Sequence, residues 1–176
     1  GIELRSDAGA NIQLTGEKRV GGTSQAAANA NLDEVQIVAG PRPDQPQVFR
    51  VRLAFPERLR RAAPGANIVL RVPQACRAHL ETSNGAVVVH GMRDDVRVRT
   101  SNGAVVLRDL PATVDAETSN GEVIATNVLG DCTLRTANGR VQIEQGGGNL
   151  AAHTSNGAIC ATLTPIPDAT IELDTS

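Results

Sequence analysis

The stretch ETSNGAVVVHGMRDDVRVRTSNGAVVLRDL, Glu81–Leu110, contains the tetrapeptide TSNG twice, beginning at Thr82 and again at Thr100. The interval persists along the chain. Asn84, Asn102, Asn120, Asn138 and Asn156 are each followed by glycine and keep one 18-residue period, in the words TSNG, TSNG, TSNG, TANG and TSNG. Repetition at a fixed period of this length marks a solenoid, in which each repeat is one coil stacked on its neighbour.

The residues between the words keep the same register. With the threonine of each word as position one, position six holds Val87, Val105, Val123, Val141 and Ile159, and position eight holds Val89, Leu107, Ala125, Ile143 and Ala161. Positions fifteen and seventeen hold Val96, Val114, Cys132 and Leu150, then Val98, Ala116, Leu134 and Ala152. Apolar residues two apart describe a strand with one buried face, so each coil carries two strands. Position eleven, with Met92, Leu110 and Val128, is also apolar and adds a short third face. A left-handed hexapeptide helix has the same coil length, but it needs an apolar residue at every sixth place. The series five, eleven, seventeen fails this at Glu122 and Arg140. The expected fold is therefore all-β: a right-handed parallel β-helix, the usual hand for a crossover between parallel strands.

The tetrapeptide then has a structural task. Asn-Gly suits a sharp corner because it tolerates positive φ. Stacked corners would bring the asparagine amides close enough to form a ladder. The expected turn ladder is Asn84–Gly85, Asn102–Gly103, Asn120–Gly121, Asn138–Gly139 and Asn156–Gly157. The residues just before each threonine, Glu81, Arg99, Glu117, Arg135 and His153, would form a column of alternating charge that helps hold register.

The organisation expected is a single domain over 1–176. Residues 1–75 form irregular capping strands, 76–163 the regular rungs, and 164–176 the start of a further, truncated rung. In the first part, IELRSDAGANIQLTG reads as two strands around a turn at Asp7–Gly9, and it resembles the terminal IELDTS. SQAAANANL reads as one short helix capped by Thr23 or Ser24. EVQIVAG, QVFRVRLAF and NIVLRVP read as strands, with Phe49, Val51, Leu53 and Phe55 on one face. PRPDQP and ERLRRAAPG read as loops. This half is expected to cover one end of the solenoid.

Composition narrows the function. The 176 residues include two Phe and no Trp or Tyr, with a net charge of −2. Neither nucleic acid nor an acidic membrane is an expected partner. Apolar runs reach about four residues, too short to insert in a membrane. The chain begins at Gly1 rather than Met, so a leader or anchor cut from it is the expectation. Cys76, Cys132 and Cys160 are an odd number, which leaves at least one thiol unpaired within the chain. Cys132 falls at a core position and Cys160 at an outward one.

With VLRVPQACRAHLETSNGAVVV and the four following words in view, the chain resembles a bacterial family of adhesin-like domains of unknown function, found in envelope and exported proteins. The resemblance is strongest over Val69–Leu163. It implies a β-helix and an exported location in the periplasm or on the cell surface, and it supplies no catalytic residues.

Other chemistry fits less well. GEKRVGGTS from Gly16 is like a phosphate loop, but Gly22 stands where the lysine is required. Cys76 and His79 have a metal-like spacing without a second pair. Calcium would need aspartates recurring in register, and Asp94, Asp95, Asp109 and Asp131 do not recur. The expected cofactors and metals are therefore none. Arg93, Asp94, Asp95, Arg97 and Arg99 are the cluster that a polysaccharide-cleaving enzyme would use. Outward position seven, with Val88, Val106, Ile124 and Cys160 and with Gln142 between the last two, is an apolar stripe. It is either covered by the N-terminal half or open to a partner. The leading expectation is a non-enzymatic envelope module, adhesive or structural, with an envelope, protein or glycan partner. The alternatives are a polysaccharide-binding or polysaccharide-cleaving protein, and a filament scaffold assembled end to end.

Overall fold

In a computed structural model, residues 1–7, 12–42, 45–62, 65–164 and 167–175 are described. In chain order the strands are β1 (Ile2–Asp7), β2 (Gln13–Arg19), β3 (Gln36–Arg42), β4 (Gln45–Ala54), β5 (Gly65–Pro73), β6 (Ala78–Asn84), β7 (Val87–His90) and β8 (Val96–Asn102). They continue with β9 (Val105–Leu110), β10 (Val114–Asn120), β11 (Val123–Val128), β12 (Cys132–Thr136), β13 (Val141–Gly146), β14 (Leu150–Thr154), β15 (Ile159–Leu163) and β16 (Ile171–Thr175). One α-helix, α1 (Gln25–Glu34), and one 3-10 turn, Glu57–Ala62, complete the elements.

The chain divides into two compact units, residues 1–14 with 69–176, and residues 15–68. The larger is the parallel β-solenoid. Odd-numbered strands from β7 to β15 stack in one sheet, which continues past β7 through β1; the even-numbered strands β6 to β16 form the other sheet. Each strand pairs parallel with its equivalent one coil further on, for example Val105↔Val123 and Val96↔Val114. The first and last rungs differ from this. β1 lies on β7 with Ile2 opposite Val87 and Leu4 opposite Val89, so the N-terminal strand does join the stack. At the other end Leu150 pairs with Ile171, which makes the last coil three residues longer than the rest.

The core is the set of inward columns. Val87, Val105, Val123 and Val141 are fully buried, as are Val89, Leu107 and Ala125, and the columns at fifteen and seventeen are at most 5% exposed. Met92, Leu110 and Val128 close the third face at 0–1% exposure. With no Trp or Tyr, this interior is built of thin aliphatic layers, each filled by the rung above and below.

The asparagine ladder is present throughout. Nδ2 of Asn102, Asn120, Asn138 and Asn156 donates to Oδ1 of the asparagine one rung earlier at 3.1, 3.0, 2.9 and 3.0 Å. The reason given above for the glycines needs correcting. Of the five Asn-Gly glycines only Gly85 has positive φ, at 114°. The left-handed corner lies one face further on, at position ten: Gly91, Asp109, Asn127 and Gln145 have φ of 73°, 54°, 55° and 57°. Gly103, Gly121, Gly139 and Gly157 are required instead by close approach, because a β-carbon at each would collide with the carbonyl of the glycine one rung before.

The threonines beginning the last three words are buried and bond across the same corner, while Thr82 of the first is half-buried and donates to the Asn84 carbonyl at 3.1 Å. Oγ1 of Thr118, Thr136 and Thr154 donates to the carbonyls of Gly103, Gly121 and Gly139 at 3.1, 2.9 and 3.0 Å. Thr100 is as deeply placed, but its hydroxyl has no partner among the described residues. The pattern lapses where Gly85 adopts its different φ. Thr118→Val is therefore expected to cost about 1 kcal/mol, whereas Thr100→Val should be neutral or stabilising, because it removes an unpaired buried hydroxyl. Denaturant midpoints of the two variants, at equal m-value, check this contrast.

In the smaller unit, Ser24 caps α1 by accepting the Ala27 N–H at 3.2 Å, as its sequence suggests. β3 and β4 form an antiparallel hairpin. Two loop assignments fail. PRPDQP is largely strand, since β3 runs to Arg42 and β4 begins at Gln45. ERLRRA winds into the 3-10 turn, with Leu59 only 3% exposed; one buried leucine in a polar stretch is enough to anchor it. The turn expected at Asp7–Gly9 lies mostly outside the described residues, as do the side chains of Phe49 and Leu53.

Candidate functional site

The TSNG corners form a polar ribbon along the solenoid. Ser83, Ser101 and Ser119 are exposed beside the ladder asparagines. Each internal asparagine amide donates a second bond to a backbone carbonyl: Asn102 to Ser83, Asn120 to Ser101 and Asn138 to Ser119, at 3.4–3.5 Å. A shallow open depression lies on this ribbon, lined by Asn120, Gly121, Glu122, Asn138, Gly139 and Arg140. Its amides are already committed to one another. The ribbon therefore offers exposed serine hydroxyls at Ser83, Ser101 and Ser119, with Glu122 and Arg140 beside the depression.

The cluster an enzyme would need is dispersed. Asp94 lies 3.5 Å from Arg77 and accepts the Asp95 N–H at 2.8 Å. Arg97 turns to Asp115 at 3.2 Å, and Arg99 to Glu117 at 3.5 Å. Arg135 reaches diagonally to Asp115 at 3.8 Å. In the alternating column Glu81↔Arg99↔Glu117↔Arg135↔His153, then, only the Arg99–Glu117 step forms a direct ion pair among the described residues. These exposed pairs contribute at most about 1 kcal/mol each.

The metal-like residues separate as well. His79 faces Glu81 at 3.4 Å, His90 faces Asp109 at 2.9 Å, and His153 faces Asp174 at 3.0 Å. Cys76 Sγ donates to the Arg77 carbonyl at 3.6 Å. Among the described residues no three His, Cys, Asp or Glu side chains group as a metal site. In the segment from Gly16, Gly16–Arg19 belongs to β2, Lys18 Nζ donates to the Leu32 carbonyl at 3.1 Å, and the Ser24 side chain caps the helix N-terminus.

The position-ten column escaped sequence reasoning. Asp109 accepts from Asn127 Nδ2 at 2.7 Å while His90 meets its other carboxylate oxygen, so a second short ladder runs up this corner. The signal was available: Gly91, Asp109 and Asn127 are the residue types that tolerate αL, and they recur once in every coil. On the outward stripe, Val88, Val106, Ile124 and Gln142 are half-buried and Cys160 is exposed.

The thiols differ sharply. Burial pushes Cys132 from 9.0 up to about 12, and burial together with Asp94 raises Cys76. At pH 8 a thiol reagent is expected to modify Cys160 first and Cys76 more slowly, reaching Cys132 only on unfolding; peptide mapping by mass spectrometry reads the order. Because the folded Cys132 thiol ionises later than the unfolded one, its contribution to stability is whole below about pH 9 and is lost as pH rises toward 12.

The chain matches no protein-family model, no curated protein and no solved structure.

Proposed function

We propose that this chain is a non-enzymatic, exported scaffold or adhesive module of the cell envelope, which presents the regular outer face of the solenoid to a repeating surface. The observation that supports it best is how the polar side chains are used. The ladder asparagines bond to the asparagines of neighbouring rungs, the corner threonines to glycine carbonyls one rung earlier, and Arg97 and Arg99 to acids one rung on, and that builds a regular ribbon. The envelope location rests on the resemblance carried by the TSNG words. A glycan-cleaving reading would need Asp94 and Asp95 to converge on a substrate, but both are held beside Arg77. Sugar sites also lean on aromatic platforms, for which the chain has two Phe and no Trp or Tyr.

The test is a screen of peptidoglycan, lipopolysaccharide and host or plant glycans for both binding and turnover. It is paired with fractionation of cells expressing the full-length gene product. Retention on one of these polymers without turnover, together with recovery in the envelope fraction, is the expected result. Turnover lost in Asp94→Ala or Asp95→Ala would overturn the non-enzymatic reading, and recovery in the cytoplasm would overturn the location.

A further inference from the structure

We infer that one face of the β3–β4 hairpin binds an acidic glycan, a sugar polymer carrying carboxylate or phosphate groups, which Arg50 and Arg52 hold over Val38 and Gly40. The inference rests on the reading above for the class of partner, an envelope polymer, and goes beyond it in naming the chemistry and the place.

Charge is the first reason. The net charge of −2 averages two units of opposite sign. Residues 15–68 carry eight Lys and Arg against five Asp and Glu, a net charge of +3; the remaining residues carry nine against fourteen, a net charge of −5. In the solenoid Arg97 meets Asp115 and Arg99 meets Glu117. In the smaller unit Glu34 and Glu57 neutralise Arg58 and Arg60 in the same way. Arg50 and Arg52 are left over. Both are exposed, and among the described residues neither guanidinium has a hydrogen bond or an ion pair.

Geometry is the second reason. β3 and β4 form a sheet of two strands, with Val38 opposite Arg52 and Gly40 opposite Arg50. Alternate residues of a strand share a face, so these four positions lie together, with the two arginines roughly 6.6 Å apart along β4. Val38 is 38% exposed, and a β-carbon added at Gly40 would meet nothing within 4 Å. The face is open there, and a glycine within a strand lets a ligand come close to the backbone. A guanidinium offers a planar fork of N–H donors that matches a carboxylate or a phosphate with two parallel bonds. Two forks on one face take acidic groups of a polymer, while Val38 gives an apolar contact to the C–H face of a sugar ring.

Other occupants fit less well. A neutral glycan would lean on aromatic platforms, and the chain has no Trp or Tyr. Single-stranded nucleic acid relies on stacking against the same side chains. A duplex draws its affinity from many phosphate contacts, and this face offers two arginines. An acidic peptide would use the arginines but has no sugar ring to lie over Val38 and Gly40.

The test is a titration of the 176-residue chain with five probes: alginate, which carries carboxylates, lipopolysaccharide, which carries phosphates, neutral dextran, polyglutamate and duplex DNA. Binding of alginate or lipopolysaccharide is expected, and the stronger of the two identifies the acidic group. Added salt should weaken it by screening, and dextran should not bind. Arg50→Gln and Arg52→Gln should each weaken binding about tenfold. Gly40→Val should also weaken it, by filling the open ground. Arg61→Gln removes the same charge from an exposed position outside the hairpin and should leave binding unchanged. Denaturant midpoints close to that of the parent protein are expected for all four variants, so that lost binding is not lost folding. The inference alone is overturned if dextran, polyglutamate or DNA binds as tightly as the acidic glycans, or if binding survives the double change of Arg50 and Arg52 to Gln. Failure to bind any glycan overturns it together with the adhesive reading. Recovery in the cytoplasm, with arginine-dependent binding intact, overturns the envelope location alone.

Discussion

Gly121→Val is expected to destabilise the protein by about 3 kcal/mol, at the upper end of what overpacking a tight site costs. Gly121 occupies the middle TSNG corner. A β-carbon there would collide with the carbonyl oxygen of Gly103 and lie 2.6 Å from its carbon and 3.1 Å from Thr118 Oγ1. The obstacle is backbone from the rung beneath, which cannot swing aside as a side chain can. The same collision would arise between Gly139 and Gly121 one rung on, so the corner column has no slack. The neighbouring Glu122 is on the outer face, and Glu122→Val should change stability by less than about 0.5 kcal/mol. Gly121→Asn separates the two explanations for the glycine. Asparagine tolerates a left-handed backbone, so it would rescue a positive-φ corner, but it carries the same β-carbon and should be as damaging as alanine. Denaturant unfolding of the four variants reads this directly.

Leu134→Ala is expected to cost a further large amount, about 3 kcal/mol. Leu134 is fully buried at position seventeen, and its column neighbours in the adjacent rungs are Ala116 and Ala152. Small residues above and below cannot fill the space its side chain leaves, and the ladders hold the strands apart, so the cavity stays open. Leu129→Ala is the control. Leu129 is 53% exposed and its loss should be nearly silent. Thermal and denaturant unfolding of the pair gives the comparison.

The repeat was legible because it is written in residue types with few alternative meanings. Valine at every second place, recurring at the same point of each coil, puts Val87, Val105 and Val123 inside with no knowledge of the chain's path. The third face could be read from Met92, Leu110 and Val128 for the same reason. The reason for glycine could not. Glycine serves both a left-handed backbone and a close approach, and the letters NG do not say which; at Gly85 it is the first, at Gly121 the second. The true left-handed corner is occupied mostly by Asp109, Asn127 and Gln145, whose variety hid the column. Residues 15–68 were less legible because they form no repeat. A hairpin carrying Pro41 and Pro46, and a 3-10 turn anchored by Leu59 alone, look like loop in composition. The apolar stripe at position seven was legible as outward-facing, and Val88, Val106 and Ile124 are half-buried there.

The most direct test of the repeating coil is to remove one. Deleting Thr118–Arg135 takes out a whole period. It would bring Glu117 against Thr136, join the ladder from Asn102 to Asn138, and leave each inward column stacked on its own kind. The shortened chain should still unfold cooperatively, with a smaller m-value because less surface is exposed on unfolding. Deleting only Thr118–Thr126 takes out half a coil, sends the chain to the wrong sheet and should leave no cooperative transition. If both deletions unfold the protein alike, or if the half-coil deletion is the one that folds, then the rung that begins at each TSNG word is not the unit from which this structure is built.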